Sequence, residues 1–383
     1  MIIKRVSLKQ FRAHEETVLS FQSGLNIISG PNGTGKTNIL EAVHYLCLTK
    51  SFLTSSDRYV LRRGAPFFEI IGDFESSAGR SLVVRIAFVP GEGKKIFVNG
   101  VHVQRASEFV GRIPVVVFSP DDYVITAGGP EERRRFINTI ISQSSSIYLD
   151  DLIRYRRTLK QRNELLQRQR RRMGGADSGQ ISSWSQELVE MGSRIFHARL
   201  LFVERFSRLL DDAYRQIGSV IEEPRILYKP LGGALTVGDA GKMRDVEEIK
   251  ELFRSELQNC ESRERERGLT LAGPHRDDLL FELDGFPVRR FASQGQHRTF
   301  GLALKLAQYN FLLESVEEKP LLLLDDVFDN LDHTRIDVFF SILHETGMGQ
   351  SLITAARKDI FGELIGEESN HHINIQELIS DEV

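Results

Sequence analysis

Cysteine is scarce: the 383 residues hold two, Cys47 and Cys260, and neither has a second Cys or a His nearby at ligand spacing. That excludes a disulfide framework and a structural zinc site, and it suits a reducing compartment. Long apolar runs are missing too, since no stretch approaches the ~20 residues that cross a bilayer. The opening residues Met1 to Gln10 alternate polar and apolar like a strand, without the apolar core of a signal peptide. A cytoplasmic protein with no membrane partner is expected. Nor is charge of one sign in surplus: 50 Lys and Arg face 53 Asp and Glu, a net of -3. The surface as a whole does not attract nucleic acid, so any such contact must come from local basic patches. Internal repeats are absent. What remains is an apolar fraction of 41% and a charged fraction of 27%, in a chain long enough for one large domain or two ordinary ones.

The pattern that is present begins with strands. Ile2-Ile3, Val18 to Phe21 and Leu25 to Ser29 read as strands, the last a short apolar run ending at Gly30. Between Thr37 and Leu48, residues Ile39, Leu40, Val43, Leu46 and Cys47 recur at helical spacing. Stretches 67–74, 81–89 and 95–104 alternate like antiparallel strands, with Asn99-Gly100 as a hairpin signal, and 115–118 is another buried strand. Near Arg133 the texture changes to long helical patterns, 132–172 and 183–217, separated by a polar turn from Gly174 to Gly179. They predict an antiparallel helical hairpin, an arm of roughly 30–50 Å. Strand-and-helix texture returns near Leu269 and continues through Leu321–Leu324 and Ser351 to Ala355. The expectation is an α/β fold with mixed and parallel sheets, in which 1–130 and 268–383 form one head and 131–267 an inserted helical arm.

Chemistry enters at Gly30-Pro31-Asn32-Gly33-Thr34-Gly35-Lys36-Thr37, which has the spacing of a phosphate-binding loop between a strand and a helix. The glycines let backbone N–H groups face phosphate oxygens at a helix N-terminus. Lys36 is expected at the β- and γ-phosphates of ATP, and the Thr37 hydroxyl on Mg²⁺. The run Leu321 to Leu324 then ends in Asp325-Asp326, two carboxylates at the C-terminal end of a buried parallel strand. Asp325 is the candidate for holding magnesium, directly or through water, and Asp326 the candidate base that orients the attacking water. So far a kinase or a GTPase would also fit.

The discriminating phrase is Phe291-Ala292-Ser293-Gln294-Gly295-Gln296 ahead of a helix, which resembles the ABC signature motif. In that motif a Ser and a Gly at a helix N-terminus grip the γ-phosphate bound to the other subunit, which makes Ser293, Gly295 and Gln296 candidate nucleotide contacts. Asp329-Asn330-Leu331-Asp332 matches the D-loop that links the two half-sites. Through these phrases and those that follow, the chain resembles the RecF family over essentially its whole length. Phe11-Arg12 is similar to an Arg loop placed near nucleotide or DNA. Asn38 to Ala42, Lys50 to Phe52, Phe118 to Asp122, Gly129-Pro130 with Arg133-Arg134, Gly273 to Asp278 and Ser293 to Thr299 add to the resemblance. It implies an ABC-type ATPase head and ATP-dependent homodimerisation on double-stranded DNA or single-strand/double-strand junctions. It also implies weak, DNA-stimulated hydrolysis, and recombinase loading with RecR/RecO-type mediator partners in recombinational repair and fork maintenance.

Three departures from the wider ABC pattern point to slow turnover. Asp326 stands where a Glu is usual, Thr354, Ala355 and Ala356 stand where a switch His would follow, and no Gln occupies the lid position at Ser119 to Asp122. A carboxylate misplaced by about 1 Å can cost on the order of a hundredfold in rate. For DNA, residues 151–172 carry nine Arg or Lys against two acids, so Arg154, Arg156, Arg157 and Arg170 are candidates for phosphate contact, with a solvated helix face as the alternative. Arg133 and Arg134 join them, because positive charge is disfavoured where a helix begins. His275 to Asp278 reads equally as an ion-paired turn or a nucleotide sensor, and Glu261 to Arg267 as a solvated helix. A phosphotransferase would need a second acceptor pocket and have no use for Ser293. A transporter motor would need a surface for a membrane partner.

Overall fold

The computed structural model describes residues 1–171, 178–217, 222–230, 245–327, 338, 341–342, 349–355 and 371–375. The Asp329–Asp332 phrase, Ala356 and most of the polar turn after Arg171 lie outside the described residues. Two compact units divide the chain, one of residues 1–122 and 308–383, the other of residues 123–307.

The first unit holds two sheets. Strands β1 (Ile2–Phe11), β2 (His14–Ser20), β4 (Phe68–Glu75), β5 (Ser81–Val89), β6 (Gly93–Val98) and β7 (Val101–Val103) form an antiparallel sheet in the order β2-β1-β4-β5-β6-β7. Asn99 and Gly100 both take positive φ, 49° and 80°, as a two-residue hairpin between β6 and β7 requires. Strands β3 (Leu25–Ser29), β8 (Val115–Phe118), β12 (Leu321–Leu324), β13 (Ser351–Ala355) and β14 (His371–Asn374) form a parallel sheet, β14-β3-β13-β12-β8. Helix α1 (Lys36–Leu48) contacts strands of both sheets. Its Ile39, Leu40, Val43 and Leu46 share one core with Ile3, Val6 and Phe68 of the antiparallel sheet and Leu321, Leu323 and Leu352 of the parallel one. Phe11, Tyr45 and Phe68 meet edge to face at its centre. Mixed sheets with packed helices make this an α/β head, as the sequence leads one to expect.

The second unit comprises α2 (Tyr123–Ala127), α3 (Pro130–Ser144), α4 (Ser146–Arg171), α5 (Ser178–Ile217), β9 (Pro224–Lys229), α6 (Val246–Arg267), β10 (Asp278–Leu283), β11 (Phe286–Pro287), α7 (Val288–Phe291) and the start of α8 (Gln294–Ser315). The pattern at 132–172 resolves into two helices, because Ser145 is extended and its hydroxyl accepts the Tyr148 N–H at 3.2 Å, capping α4. Helices α4 and α5 run antiparallel: Asp151 meets Arg194, Thr158 meets Glu187 and Arg162 meets Ser185. They are not a bare pair. Helix α6 packs on both, and its Glu264 turns inward to bind Arg162 at 2.6 Å while Glu261, Arg263 and Arg265 stay exposed. The unit runs on to Ala307 because β9 pairs with β10, which carries α7 and the signature phrase with it.

Candidate nucleotide site and basic surface

Register places Ser29 beside Ala355, Ile353 beside Leu324, and Leu324 beside Phe118. Gly30, Asp325 and Ser119 therefore follow the C-terminal ends of their strands, with Thr354 near the end of β13 beside them, where ligands of such sheets collect. Strand β3 leads into the loop Gly30 to Thr37. Gly33 and Gly35 adopt φ of 85° and 94°, and a Cβ at Gly35 would stand 2.8 Å from Nε2 of His14. Helix α1 starts at Lys36 with no side chain capping it, so its first N–H groups face the loop as an anion cradle. Pro31, Asn32 and Gly33 are exposed. Lys36 is only 4% exposed and turns back to donate to the carbonyls of Gly30 at 2.8 Å and Pro31 at 3.0 Å. Thr34 donates its hydroxyl to the Pro31 carbonyl at 2.9 Å.

Across 288 residues of sequence, Thr37 donates its hydroxyl to Oδ1 of Asp325 at 2.8 Å. Thr354 donates to the same oxygen at 2.9 Å, and its own oxygen accepts the Asp326 N–H at 3.0 Å. Burial pushes the Asp325 carboxyl above its ordinary range. The two hydroxyl donors and Lys36 oppose that rise, and the charge of Asp326 adds to it. Such a carboxylate gains from a nearby cation. The oxygens present, one hydroxyl and one carboxylate, suit magnesium that keeps its other positions for phosphate and water. Asp326 sits at φ 44°, in the left-handed region, directly after β12 and Asp325. Thr354 was visible in the sequence only as the position lacking a His; its hydroxyl tying both acids gave no signal there.

The hairpin turn between β1 and β2 stands against this loop. His14 sets Nε2 3.1 Å from the Gly35 carbonyl and Nδ1 3.0 Å from Thr17 Oγ1. Arg12, at φ 54°, places Nε and Nη2 on the two carboxylate oxygens of Glu41 at 2.8 and 2.7 Å, and Nη1 on the Tyr59 carbonyl at 2.7 Å. The Ser51 hydroxyl donates to the same Glu41. Three phrases scattered in sequence, at Arg12, Glu41 and Ser51, are thus one knot, one helical turn beyond Thr37.

In the second unit, Ser293 and Gln296 cap α8 reciprocally. The Ser293 hydroxyl accepts the Gln296 N–H at 3.2 Å and the Gln296 side chain accepts the Ser293 N–H at 2.7 Å. Gln296 also donates to Glu222 at 2.8 Å. Because Ser293 Oγ acts as acceptor here, its proton stays available for an incoming anion, and the residue is exposed.

A family model described as the RecF/RecN/SMC N terminal domain matches residues 2–377. The "DNA replication and repair protein RecF" of Salinibacter ruber (strain DSM 13855 / M31) is 47% identical over 98% of this chain and 90% of its own length. The chain belongs to the RecF family. The RecF of Chloroherpeton thalassium (strain ATCC 35110 / GB-78) is 41% identical over 95% of this chain and 97% of that protein. A solved structure of the recombination mediator protein RecF with ATP in the RecFOR pathway aligns with a TM-score of 0.85 and 29% identity, covering 98% of this chain and 97% of that one. An Smc head domain from Pyrococcus furiosus aligns at a TM-score of 0.51 and 17% identity over 93% of this chain and 89% of that one, a likeness of fold alone.

The basic residues of this RecF-family chain differ sharply in availability. Arg133 is 3% exposed, with Nε and Nη2 on the Asp278 carboxylate at 2.9 and 3.0 Å and Nη1 on the Gly128 carbonyl at 2.8 Å. Its guanidinium is used inside the fold. Nor does the dipole argument hold at that position, since α3 begins at Pro130 and Glu131 and Glu132 occupy its first turn. Arg134 is half-buried and donates to the Asp277 carbonyl at 2.7 Å. Arg154, Arg156 and Arg157 are exposed on α4, as is Arg170, which reaches the Arg267 carbonyl at 3.1 Å. His275 lies between the Tyr155 hydroxyl (2.7 Å to Nδ1) and the Thr270 carbonyl (3.1 Å to Nε2). The carbonyl can only accept, so Nε2 carries the proton and Nδ1 accepts from the tyrosine. Burial drives the ring down to about 4. An unfolded chain therefore takes up a proton between about pH 6.5 and 4 that the folded chain refuses, and stability falls as pH drops through that window. Melting at pH 5 should lie several degrees below pH 7, and His275→Gln, which keeps both hydrogen bonds without titrating, should lessen the drop. An identical loss in both proteins would contradict this account.

Proposed function

We propose that the chain is an ATP-dependent DNA-binding protein of recombinational repair and replication-fork maintenance. Two copies close head to tail around ATP on double-stranded DNA or a single-strand/double-strand junction, slow hydrolysis releases them, and RecR/RecO-type mediators use the clamp to assist recombinase loading. The observation that supports this most is the meeting of Thr37 and Asp325 beside an uncapped helix start, an arrangement suited to a nucleoside triphosphate and its magnesium. Lys36 would exchange its two carbonyl partners for the β- and γ-phosphates. Thr37 and Asp325 would hold the magnesium, which neutralises phosphate charge when bound, and Asp326 would orient the attacking water. The exposed arginines of α4 supply the local basic surface that the overall charge does not. No described helix is long and apolar enough to cross a membrane, and a cytoplasmic site of action fits the proposed partners.

Lys36→Ala tests the foundation of this reading. It removes the only side-chain cation of the loop, so hydrolysis should fall by about a hundredfold or more while the melting profile stays close to the parent's. Hydrolysis at the parent rate would place the nucleotide elsewhere.

A further inference from the structure

Tyr214, in the last turn of α5, is buried, and its ring lies against Phe300 of α8 with centroids 5.9 Å apart. Its hydroxyl donates to one carboxylate oxygen of Glu222. The other oxygen of Glu222 accepts from the Gln296 amide nitrogen at 2.8 Å, and the Gln296 amide oxygen accepts the Ser293 N–H at 2.7 Å. A single line of hydrogen bonds therefore runs from the end of α5, through the residue ahead of β9, to the signature serine. Glu222 stands 74 positions from Gln296, so no local pattern in the sequence joins them.

The line has a direction. A carboxylate only accepts and a backbone N–H only donates, so between Glu222 and Ser293 the Gln296 amide has one orientation. Turned over, its NH₂ would meet the Ser293 N–H donor to donor, and its oxygen would face a carboxylate oxygen. The backbone of α8 does not make this choice. The start of that helix is held separately: the His297 N–H donates to the Ser293 carbonyl at 2.9 Å, Thr126 Oγ1 lies 2.8 Å from Nδ1 of His297, and the Tyr123 ring lies 4.9 Å from the His297 ring. None of these contacts involves the Gln296 amide.

We propose that Glu222 is a positioning residue for the second half-site: it holds the Gln296 amide in the orientation that caps Ser293, and so keeps the serine placed to donate its O–H to a nucleotide phosphate on a second copy. The cap is reciprocal. The Gln296 backbone N–H occupies the Ser293 hydroxyl oxygen at 3.2 Å while the Ser293 N–H is taken by the Gln296 side chain. Losing the side-chain half loosens the serine and leaves its hydroxyl free to turn away. Glu222 acts through Gln296 and not on the nucleotide itself. This inference rests on the head-to-tail closure of the proposed function and names a residue that prepares it.

The test reverses the polarity of the line in the full chain. Glu222→Lys presents a donor where the carboxylate accepts, so it should turn the Gln296 amide over and strip the Ser293 N–H of its acceptor. Gln296→Glu alone sets two carboxylates against each other. Combined, the new ammonium donates to the new carboxylate, whose second oxygen again accepts the Ser293 N–H. Each single change should lower the ATP-induced association constant by about tenfold or more and speed hydrogen exchange at the Ser293 amide of the ATP-free chain, and the double change should restore both. The ATP affinity of a single chain should stay at the parent value throughout. Parent-like exchange in Glu222→Lys, or a double variant as impaired as the singles, overturns the positioning role and leaves the proposed function standing. If exchange follows the expected pattern while the parent stays monomeric with ATP, or while every variant dimerises like the parent, the purpose assigned to Glu222 falls with the head-to-tail reading, and only the orientation of Gln296 stands.

Discussion

Ser293→Arg should leave the ATP affinity of a single chain nearly unchanged and abolish ATP-induced dimerisation, shifting the association constant by a hundredfold or more. Ser293 occupies the second unit and the phosphate loop the first. In the proposed two-sided arrangement each ATP lies between Lys36 of one copy and Ser293 of the other, giving a twofold dimer with two shared sites. The serine is exposed, and its hydroxyl oxygen is engaged as a cap acceptor, which leaves the O–H to donate. Arginine fills the space a phosphate would enter. Losing the cap costs about 1 kcal/mol at one helix end, far less than the fold requires. Ser293→Thr, which keeps both the cap and the O–H, serves as the control. Sedimentation with ATP decides the matter: the arginine variant should remain a monomer. Mixed with Lys36→Ala chains, it should recover at most one complete site per heterodimer. Dimerisation of Ser293→Arg as in the parent would refute the shared site.

Asp326→Asn is expected to separate binding from cleavage. The substitution keeps the shape of the side chain and removes the charge that would orient water, so ATP should bind, hydrolysis should fall by roughly a hundredfold or more, and the ATP-bound dimer should accumulate. Thr354→Val tests the same chemistry from beneath. It deletes the hydroxyl that donates to Asp325 and accepts the Asp326 N–H, while Thr354→Ser keeps both contacts. A displacement of about 1 Å at either acid is worth on the order of a hundredfold. The valine variant should therefore lose kcat with little change in nucleotide affinity, and the serine variant should recover it. Single-turnover hydrolysis set beside nucleotide binding reads both effects. Full turnover by Asp326→Asn would move the base role to Asp325 or Asp122.

How legible a feature was in the sequence depended on how local its cause is. The phosphate loop was legible because its geometry lies within eight consecutive residues, and the leucine run before Asp325 announces its own burial. Arg133 was misleading for the opposite reason: its partner Asp278 lies 145 positions away, and no local pattern marks an arginine as buried. Glu264 in its charged run is the same case, distinguished from its exposed neighbours by the Arg162 guanidinium and the Leu271 N–H that it faces. The Ser145 break was hidden because an apolar stripe persists on both sides of a capping serine. The role of Thr354 gave no signal because a hydroxyl inside an apolar strand looks like any strand residue until the register sets it beside two acids. Where exposed cations gather was readable as a count along α4, but which of them remain unengaged required the fold.

Helix α1 has eleven of its thirteen residues buried, with sheets on either flank. A helix enclosed in this way has almost no position where drift in a lineage can be harmless, since adding or removing a single methylene is felt in close packing. The phrase Asn38 to Ala42, so useful for placing this chain among its kin, then owes its spelling largely to upholstery. Ile39, Leu40 and Ala42 fill the gap between two sheets, and of that phrase only Glu41 reaches out to another motif.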